Sequence, residues 1–137
     1  MPVESDAELR ELLGLRTVAV VGCSATPGKA AHEVPKYLHE RGYDVIPVNP
    51  NAEEVFGNHA YDSLSDVDEE IDVVNVFRPS EEVSAIVDAA RERDDLTAIW
   101  LQLGITDPDA TARAERAGLH VVSDRCMKVE HQRLVAS

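Results

Sequence analysis

Five apolar runs, separated by segments with helical spacing, constrain this chain more than any other feature of its sequence. The runs are Thr17–Val21, Asp44–Val48, Ile71–Phe77, Ala98–Leu103 and His120–Val122. They are almost continuously apolar, which is typical of strands buried on both faces of a parallel sheet. We therefore predict an α/β fold, with a three-layer, doubly wound parallel sheet of about five strands.

The segments between these runs carry helix signals. Helices are expected in the charged amino-terminal segment, from Ala31 to Leu38, after Ser80, after Asp107 and over Met127–Val135. Asp107 can cap its helix and is followed by a proline, and the hydroxyl of Ser80 can act as a cap in the same way.

The length and composition suit one domain. The chain has 137 residues, within the common size of a domain, and we predict a single domain over residues 1–137 with its core at about residues 10–135. Aromatic residues make up only 4%, so the core must be aliphatic. The irregular region 49–68 is expected to contain a short helix around Ala52–Val55 and an extended piece over Ala60–Leu64.

The acidic charge of the chain restricts its partners. Asp and Glu number 26 against 13 Lys and Arg, which gives a net charge of −13, spread over the whole sequence. Such a surface is similar to that of salt-adapted, halophilic-like proteins, and it disfavours nucleic acid and anionic membranes as partners. An anionic ligand then needs a local cluster of donors.

Other classes of protein are disfavoured by what the sequence lacks. No apolar run approaches the ~20 residues of a spanning helix, and we expect a soluble, cytoplasmic protein. Cys23 and Cys126 form neither a CxxC pair nor a metal-ligand spacing, so we expect buried or half-buried thiols and no metal. No acid–base pair or nucleophile with its base stands out, which favours binding over catalysis.

The loop after the first run, in VVGCSATPGKAAHEVP, has the features of an anion site. Ligands of parallel sheets bind beyond the carboxyl ends of strands, where helix N-termini offer N–H groups to phosphates. Gly22 permits a tight turn, Ser24 can donate a hydroxyl, and Lys29 adds a charge near the helix start. Proline is harmless only in a first helical turn, so Pro35 predicts that the loop continues toward Ala31–Glu33.

Two common phosphate motifs do not fit this loop. The P-loop fails because five residues separate Gly22 from Gly28 and because Ala30 follows the lysine. The dinucleotide fingerprint fails because Ser24 replaces its second glycine. Asn49 also stands where NAD sites carry an acid for the ribose hydroxyls, and this neutral residue tolerates a phosphorylated ribose instead.

Five segments in this order resemble the stand-alone CoA-binding protein family. They are VVGCSATPGKAAHEVPKYLHERGYDVIPVNP, VFGNHAYDSL, IDVVNVFRPSEEV, WLQLGI and AGLHVVSDRCMKVEH. The family is Rossmann-like and similar to the amino-terminal CoA-binding domain of the succinyl-CoA synthetase alpha subunit. The resemblance covers about residues 10–135 and implies that coenzyme A or acyl-CoA binds through its ADP moiety.

The resemblance also implies a role for residues that follow four of the strands. They are Gly22, Cys23, Ser24 and Lys29 for the pyrophosphate, Val48, Asn49 and Pro50 for the adenosine ribose, Phe77, Arg78 and Pro79 beside the nucleotide, and Leu101, Gln102 and Gly104 along the pantetheine arm. Two of these have a structural alternative. Arg78 can pair with Glu81 or Glu82, and the amide of Gln102 can be satisfied by neighbouring backbone instead of a ligand.

The synthetase departs from this chain in its catalytic parts. Its catalysis needs a phosphorylated histidine in a second domain and a partner subunit, and none of the five histidines of this sequence lies in a matching segment. We therefore expect a non-catalytic carrier, sensor or accessory protein, acting as a homo-oligomer or beside an acyl-CoA enzyme. The alternatives are an NAD(P)-dependent or acyl-CoA-handling enzyme, and a protein-interaction module that has lost nucleotide binding.

Overall fold

A computed structural model describes residues 2–135, in which helices and strands alternate. The helices are α1 (Asp6–Leu13), α2 (Ala30–Glu40), α3 (Ser80–Arg91), α4 (Pro108–Arg116) and α5 (Met127–Leu134). The strands are β1 (Thr17–Val21), β2 (Asp44–Val48), β3 (Glu54–Val55), β4 (Asn58–His59), β5 (Val73–Val76), β6 (Ala98–Leu101) and β7 (His120–Val122). The predicted α/β fold is confirmed, although β5 and β6 are shorter than their apolar runs.

The five long strands form one parallel sheet in the order β2-β1-β5-β6-β7. One face packs against α1, α2 and α5, in a core that contains Leu9, Leu38 and Trp100. The other face packs against α3 and α4, around Val87 and Ala114. The sheet is therefore the middle of three layers, as its apolar runs predicted.

The strand order reverses between β1 and β5. Val20 of β1 is aligned with Pro47 of β2 on one side and with Asn75 of β5 on the other. Strand β2 is added beside β1 at one edge of the sheet, whereas β5, β6 and β7 are added in turn on the other side of β1. At such a switch point the two loops leave in opposite directions and open a crevice beyond the carboxyl ends of the strands.

The predicted helix around Ala52–Val55 is wrong, because this segment forms a hairpin of β3 and β4. Phe56 (φ 55°) and Gly57 (φ 78°) both adopt left-handed backbone at its turn. The Asn58 side-chain amide then donates to the Val45 carbonyl over 2.9 Å and fastens the hairpin to β2. These tertiary contacts override the helical propensity of the segment.

The predicted extended piece over Ala60–Leu64 is confirmed around Tyr61. The backbone of Tyr61 bridges Val48 in parallel orientation, donates to the Pro47 carbonyl and accepts from the Asn49 N–H. A short 3-10 helix over Leu64–Asp66 follows. This segment therefore extends the sheet edge beside the end of β2.

The predicted late start of the helix containing Pro35 is also wrong, because α2 begins at Ala30 and encloses the proline. A proline inside a helix leaves the carbonyl four residues earlier without its partner. That carbonyl belongs to Ala31, and it accepts a hydrogen bond from the backbone N–H of Ser24 over 2.9 Å. The loop thus satisfies the group that the proline leaves free.

The two helix caps predicted from the sequence have different outcomes. Asp107 caps α4 by accepting from the Ala110 N–H over 3.0 Å, with Pro108 as the first helical residue. Ser80 does not cap α3. Its hydroxyl accepts from the Thr106 N–H over 3.1 Å, and the N-cap residue is Pro79. Ser80 therefore links the start of α3 to the loop after β6.

Candidate functional site

A cleft of about 570 Å³ lies at the switch point, between the loop after β1 and the start of α3. This volume is within the usual range of small-molecule sites. The predicted residues that line it are Gly22, Ser24, Lys29, Val48, Asn49, Pro50, Phe77 and Arg78. The structure thus brings to one place most of the residues predicted for the pyrophosphate, the ribose and the nucleotide border.

Gly22 is the position where the first loop requires a glycine. Its φ is +89°, in the left-handed region, and a Cβ placed on it would lie 2.9 Å from Cδ of Arg78. Its N–H donates to the Val48 carbonyl over 2.9 Å. The aliphatic part of Arg78 therefore packs directly against the backbone of the loop, at a distance that a side chain would prevent.

Hydrogen bonds at both ends hold the loop against the start of α2. Besides the bond from its N–H to Ala31, Ser24 accepts the Thr26 N–H on its hydroxyl over 3.0 Å, and its carbonyl oxygen lies 2.7 Å from Nδ1 of His32. The N–H of Gly28 donates to the Glu33 carboxylate over 3.1 Å, and this bond lowers the pKa of Glu33. The loop is therefore ordered by its own helix.

The first turn of α2 keeps donors that an anion can use. The first N–H groups of any helix have no partner within the helix, and they carry the positive end of its dipole. Lys29 is the N-cap residue of α2 and makes no side-chain cap bond. Lys29 and Ala31 both line the cleft. The Lys29 ammonium group and the Ala31 N–H therefore form a suitable binding site for a phosphate.

Arg78 projects into the cleft from the end of β5 and pairs with Glu82. Its Nη2 lies 2.6 Å from one carboxylate oxygen and its Nε lies 3.1 Å from the other. Hydrogen bonding to Arg78 lowers the pKa of Glu82, and the same bond raises the pKa of Arg78. Of the alternatives left open by the sequence, pairing with Glu82 is the one that the structure shows.

Asn49 ties the ends of β1 and β2 together. Its Nδ2 donates to the Cys23 carbonyl over 2.8 Å, and its Oδ1 accepts from the Asn51 N–H over 2.8 Å. Both ends of the amide are engaged with backbone. Asn49 therefore shapes the cleft wall by holding the two loops in register.

Part of the cleft wall was not predicted from the sequence. It comes from the segment after β4 and from one side of α3, namely Asp62, Ser63, Leu64, Ser65, Glu82, Ala85, Ile86 and Ala89. The available signal was the helical spacing of Ala85, Ile86 and Ala89, which places them beside the buried stripe of Val83 and Val87. Their small and apolar side chains suit the flat face of an aromatic ring.

Five predicted site residues, Cys23, Pro79, Leu101, Gln102 and Gly104, are outside the lining of this cleft. The Cys23 thiol is fully buried, and burial raises its pKa to about 12. Leu101 belongs to the core. The Gln102 Oε1 accepts from the Met127 N–H over 3.0 Å, so neighbouring backbone satisfies this atom. The Gly104 N–H donates to the Asp124 carboxylate over 2.6 Å.

Residues 2–135, which the structure describes, contain neither a metal-ligand cluster nor a membrane-spanning helix. Over this part of the chain, no group of three or more His, Cys, Asp or Glu side chains is arranged to hold a metal ion. In the same residues, no helix is both long and apolar enough to cross a membrane.

The sequence family described as CoA binding domain matches residues 16–132. The chain belongs to this family. The match includes every predicted site residue from Gly22 to Gly104, and it confirms the resemblance recognised from the five sequence segments. The Rossmann-like CoA-binding fold is thus established for the chain.

Two relatives of similar length can be aligned with this chain over almost all of its residues. The uncharacterized protein YneT of Bacillus subtilis (strain 168) is 38% identical over 128 residues, which are 93% of this chain and 94% of YneT. A solved structure of a hypothetical protein from Pyrococcus horikoshii OT3 is 38% identical, with a TM-score of 0.92, and the match covers 98% of this chain and 96% of that one.

A third relative is a much larger enzyme. The ADP-forming acetate–CoA ligase of Methanocaldococcus jannaschii is 28% identical over 102 residues, which are 74% of this chain but only 14% of the ligase. The family member is therefore homologous to a small part of that enzyme.

Proposed function

We propose that this protein binds coenzyme A or acyl-CoA through its ADP moiety, as a non-catalytic carrier, sensor or accessory protein. The observation that carries the proposal is the cleft at the switch point, where the Gly22 loop, Lys29 and Arg78 meet in a chain of the CoA binding domain family. The homology to an acetate–CoA ligase supports the same ligand class.

The residues of the cleft suit the separate parts of this ligand. Lys29 and the first N–H groups of α2 would hold the pyrophosphate, because both supply positive charge where the loop ends. The apolar side of α3, at Ile86 and Ala89, would face the adenine. The pantetheine arm would leave along the ends of β5 and β6, toward Gln102 and Gly104, which remain predicted contacts.

A binding role suits the ionisable groups of the cleft lining. They are Lys29, Asp62, Arg78 and Glu82. Lys29 and Arg78 carry the charge that phosphates require, in a protein whose net charge of −13 otherwise repels an anion. We assign these two cations to ligand recognition.

Calorimetric titration of CoA into the protein in 1 M KCl tests the proposal, with NAD and 3′-dephospho-CoA run in parallel. We expect saturable binding of CoA and no heat with NAD. Lys29→Ala should weaken CoA binding by about ten- to a hundredfold, since one charge-assisted contact of about 1.5–3 kcal/mol is lost. Lys36→Ala is the matched control, because Lys36 is an exposed lysine of α2 outside the cleft lining.

The other outcomes of this titration separate the alternatives. Absence of heat and of a thermal shift with CoA would contradict the proposal. Binding of NAD(P)H, followed by hydride transfer to a carbonyl substrate, would favour the oxidoreductase instead. Failure to bind any nucleotide, together with a defined protein complex, would favour the interaction module.

A further inference from the structure

Glu82 occupies the Nε and Nη2 donors of Arg78, which form one of the two-pronged edges that a guanidinium can offer to a phosphate. The guanidinium contacts the two oxygens of this carboxylate through separate nitrogens, at 2.6 and 3.1 Å. Arginine binds phosphates through the same two-pronged geometry. Both residues line the cleft, and each side chain is 47% exposed. The carboxylate therefore stands inside the proposed ligand site rather than behind it.

The position of Arg78 leaves little freedom for it to serve the ligand while still paired. Its Cδ packs against Gly22, so the aliphatic part of the side chain is held at the loop. Only the guanidinium end can reorient, between Glu82 on α3 and the space over the loop. An ion pair as exposed as this one contributes little to stability, so a competing anion can break it at low cost.

We infer that Glu82 is an intramolecular competitor, which holds the Arg78 guanidinium until a phosphate group of the ligand displaces it. This inference rests on the proposed function and deepens it, because it assigns Arg78 to a ligand phosphate and makes Glu82 the residue that sets affinity. The pyrophosphate as a whole and the 3′-phosphate each carry about two negative charges against the single charge of a carboxylate, which favours the exchange. A ligand without a phosphate at this place does not displace Glu82 and gains no contact with the Arg78 guanidinium.

Titration of CoA into wild type, Glu82→Gln and Glu81→Gln tests the competition. Glu81 is the matched control, because it is exposed on the same helical turn but is not part of the cleft lining. Removal of either carboxylate changes the net charge equally. We expect Glu82→Gln to bind CoA about two- to fivefold more tightly than Glu81→Gln, which corresponds to the release of one exposed ion pair.

A second pair of variants shows whether the effect passes through Arg78. In an Arg78→Met background, Glu82→Gln should no longer tighten binding, because no guanidinium remains to be released. Titration with 3′-dephospho-CoA identifies which phosphate takes the place of Glu82. If Glu82→Gln also binds 3′-dephospho-CoA more tightly, the pyrophosphate is the group that displaces Glu82. If the increase in affinity is seen only with CoA, the 3′-phosphate is that group.

The possible failures are distinguishable. If wild type binds CoA but Glu82→Gln and Glu81→Gln bind it equally, the competitor role is overturned and the proposed function stands. If Glu82→Gln binds CoA more weakly, Glu82 is itself a ligand contact and the inference is overturned. A gain that persists in the Arg78→Met background also overturns it. If neither wild type nor Glu82→Gln binds CoA, both the proposed function and the inference fail.

Discussion

The backbone N–H of Ser24 donates a hydrogen bond to the carbonyl oxygen of Ala31 over 2.9 Å. In an uninterrupted helix this carbonyl would accept from the residue four positions later, but that residue is Pro35, which has no N–H. The proline therefore makes a helix carbonyl available to the loop. A residue that would ordinarily break the helix positions the proposed phosphate seat.

Pro35→Ala should loosen this loop. The new N–H of residue 35 would compete with Ser24 for the Ala31 carbonyl, so the Ser24 amide should lose protection against hydrogen exchange by about fivefold, the equivalent of one net hydrogen bond. Exchange measured by NMR checks this. The Gly22 amide, which bonds to Val48 instead, should keep its protection, and an unchanged rate at Ser24 would contradict the expectation.

Gly22→Ala and Gly28→Ala should separate backbone strain from contact with Arg78. Both glycines have positive φ, so each substitution costs about 1–2 kcal/mol in free energy of unfolding. Only Gly22→Ala adds a clash, since nothing lies within 4 Å of a Cβ at Gly28. Urea unfolding should therefore show the greater loss for Gly22→Ala. Equal losses would mean that Arg78 moves aside freely.

The strands of the sheet could be predicted because their apolar runs are continuous and need no information from elsewhere in the chain. The hairpin of β3 and β4 could not, since it depends on left-handed backbone at Phe56 and on the bond from Asn58 to Val45. The start of α2 was missed for the same reason. Its proline is tolerated through a partner in the loop, which no local pattern reveals.

The residues that line the cleft were predicted only in part, for a similar reason. Gly22 and Lys29 were identified because they follow the first strand directly, where parallel sheets bind ligands. Asp62 and Ala89 were missed because their place in the lining depends on how the segment after β4 and the helix α3 pack. Local chemistry therefore indicates the phosphate seat, whereas the opposite wall depends on tertiary structure.

Glu130 should make stability depend on pH in the acid range. Its buried carboxylate lies 2.6 Å from Arg125 and 2.7 Å from Arg133. Burial raises the pKa of Glu130, but hydrogen bonds from Arg133 and Arg125 outweigh it, so the pKa lies below its ordinary value. A lowered pKa contributes stability that is present above the unfolded-state pKa of about 4.3 and is lost as the pH falls through the folded-state value.

Glu130→Gln should accordingly lower the free energy of unfolding by about 1.5–3 kcal/mol at pH 7, because two charge-assisted hydrogen bonds are weakened. The difference from wild type should shrink as the pH falls below about 4. Urea unfolding at pH 7, 5 and 3 measures it. Glu40→Gln, at an exposed position of α2, should show neither effect, and a difference that persists at pH 3 would contradict the assignment.

The two cysteines should differ in reactivity. Cys23 is fully buried and burial raises its pKa to about 12, whereas Cys126 is half-buried. Because thiolates are the reactive form, iodoacetamide at pH 8 should label Cys126 in the native protein and leave Cys23 unmodified. Peptide mass spectrometry checks the site, with urea-unfolded protein as the control in which both react. Native labelling of Cys23 would show that the loop opens.

Salt should stabilise the protein if its acidic surface is an adaptation to salt. With 26 acidic and 13 basic side chains, repulsion outweighs attraction at long range, and 1 M salt shortens the screening distance to about 3 Å. We expect the melting temperature to rise between dilute buffer and 1 M KCl. Sucrose at matched water activity serves as the control for non-ionic effects. An unchanged melting temperature would reject the adaptation.

The neighbouring positions of β1 and β5 join parts of the cleft that are far apart in the sequence. One wall of the cleft is made by the chain directly after β1, and Arg78 comes from the end of β5, which follows β2 and the hairpin in the sequence. A chain that has folded only as far as β2 has the phosphate loop without its arginine. The proposed site is therefore split across the sheet, and it is complete only where β5 lies beside β1.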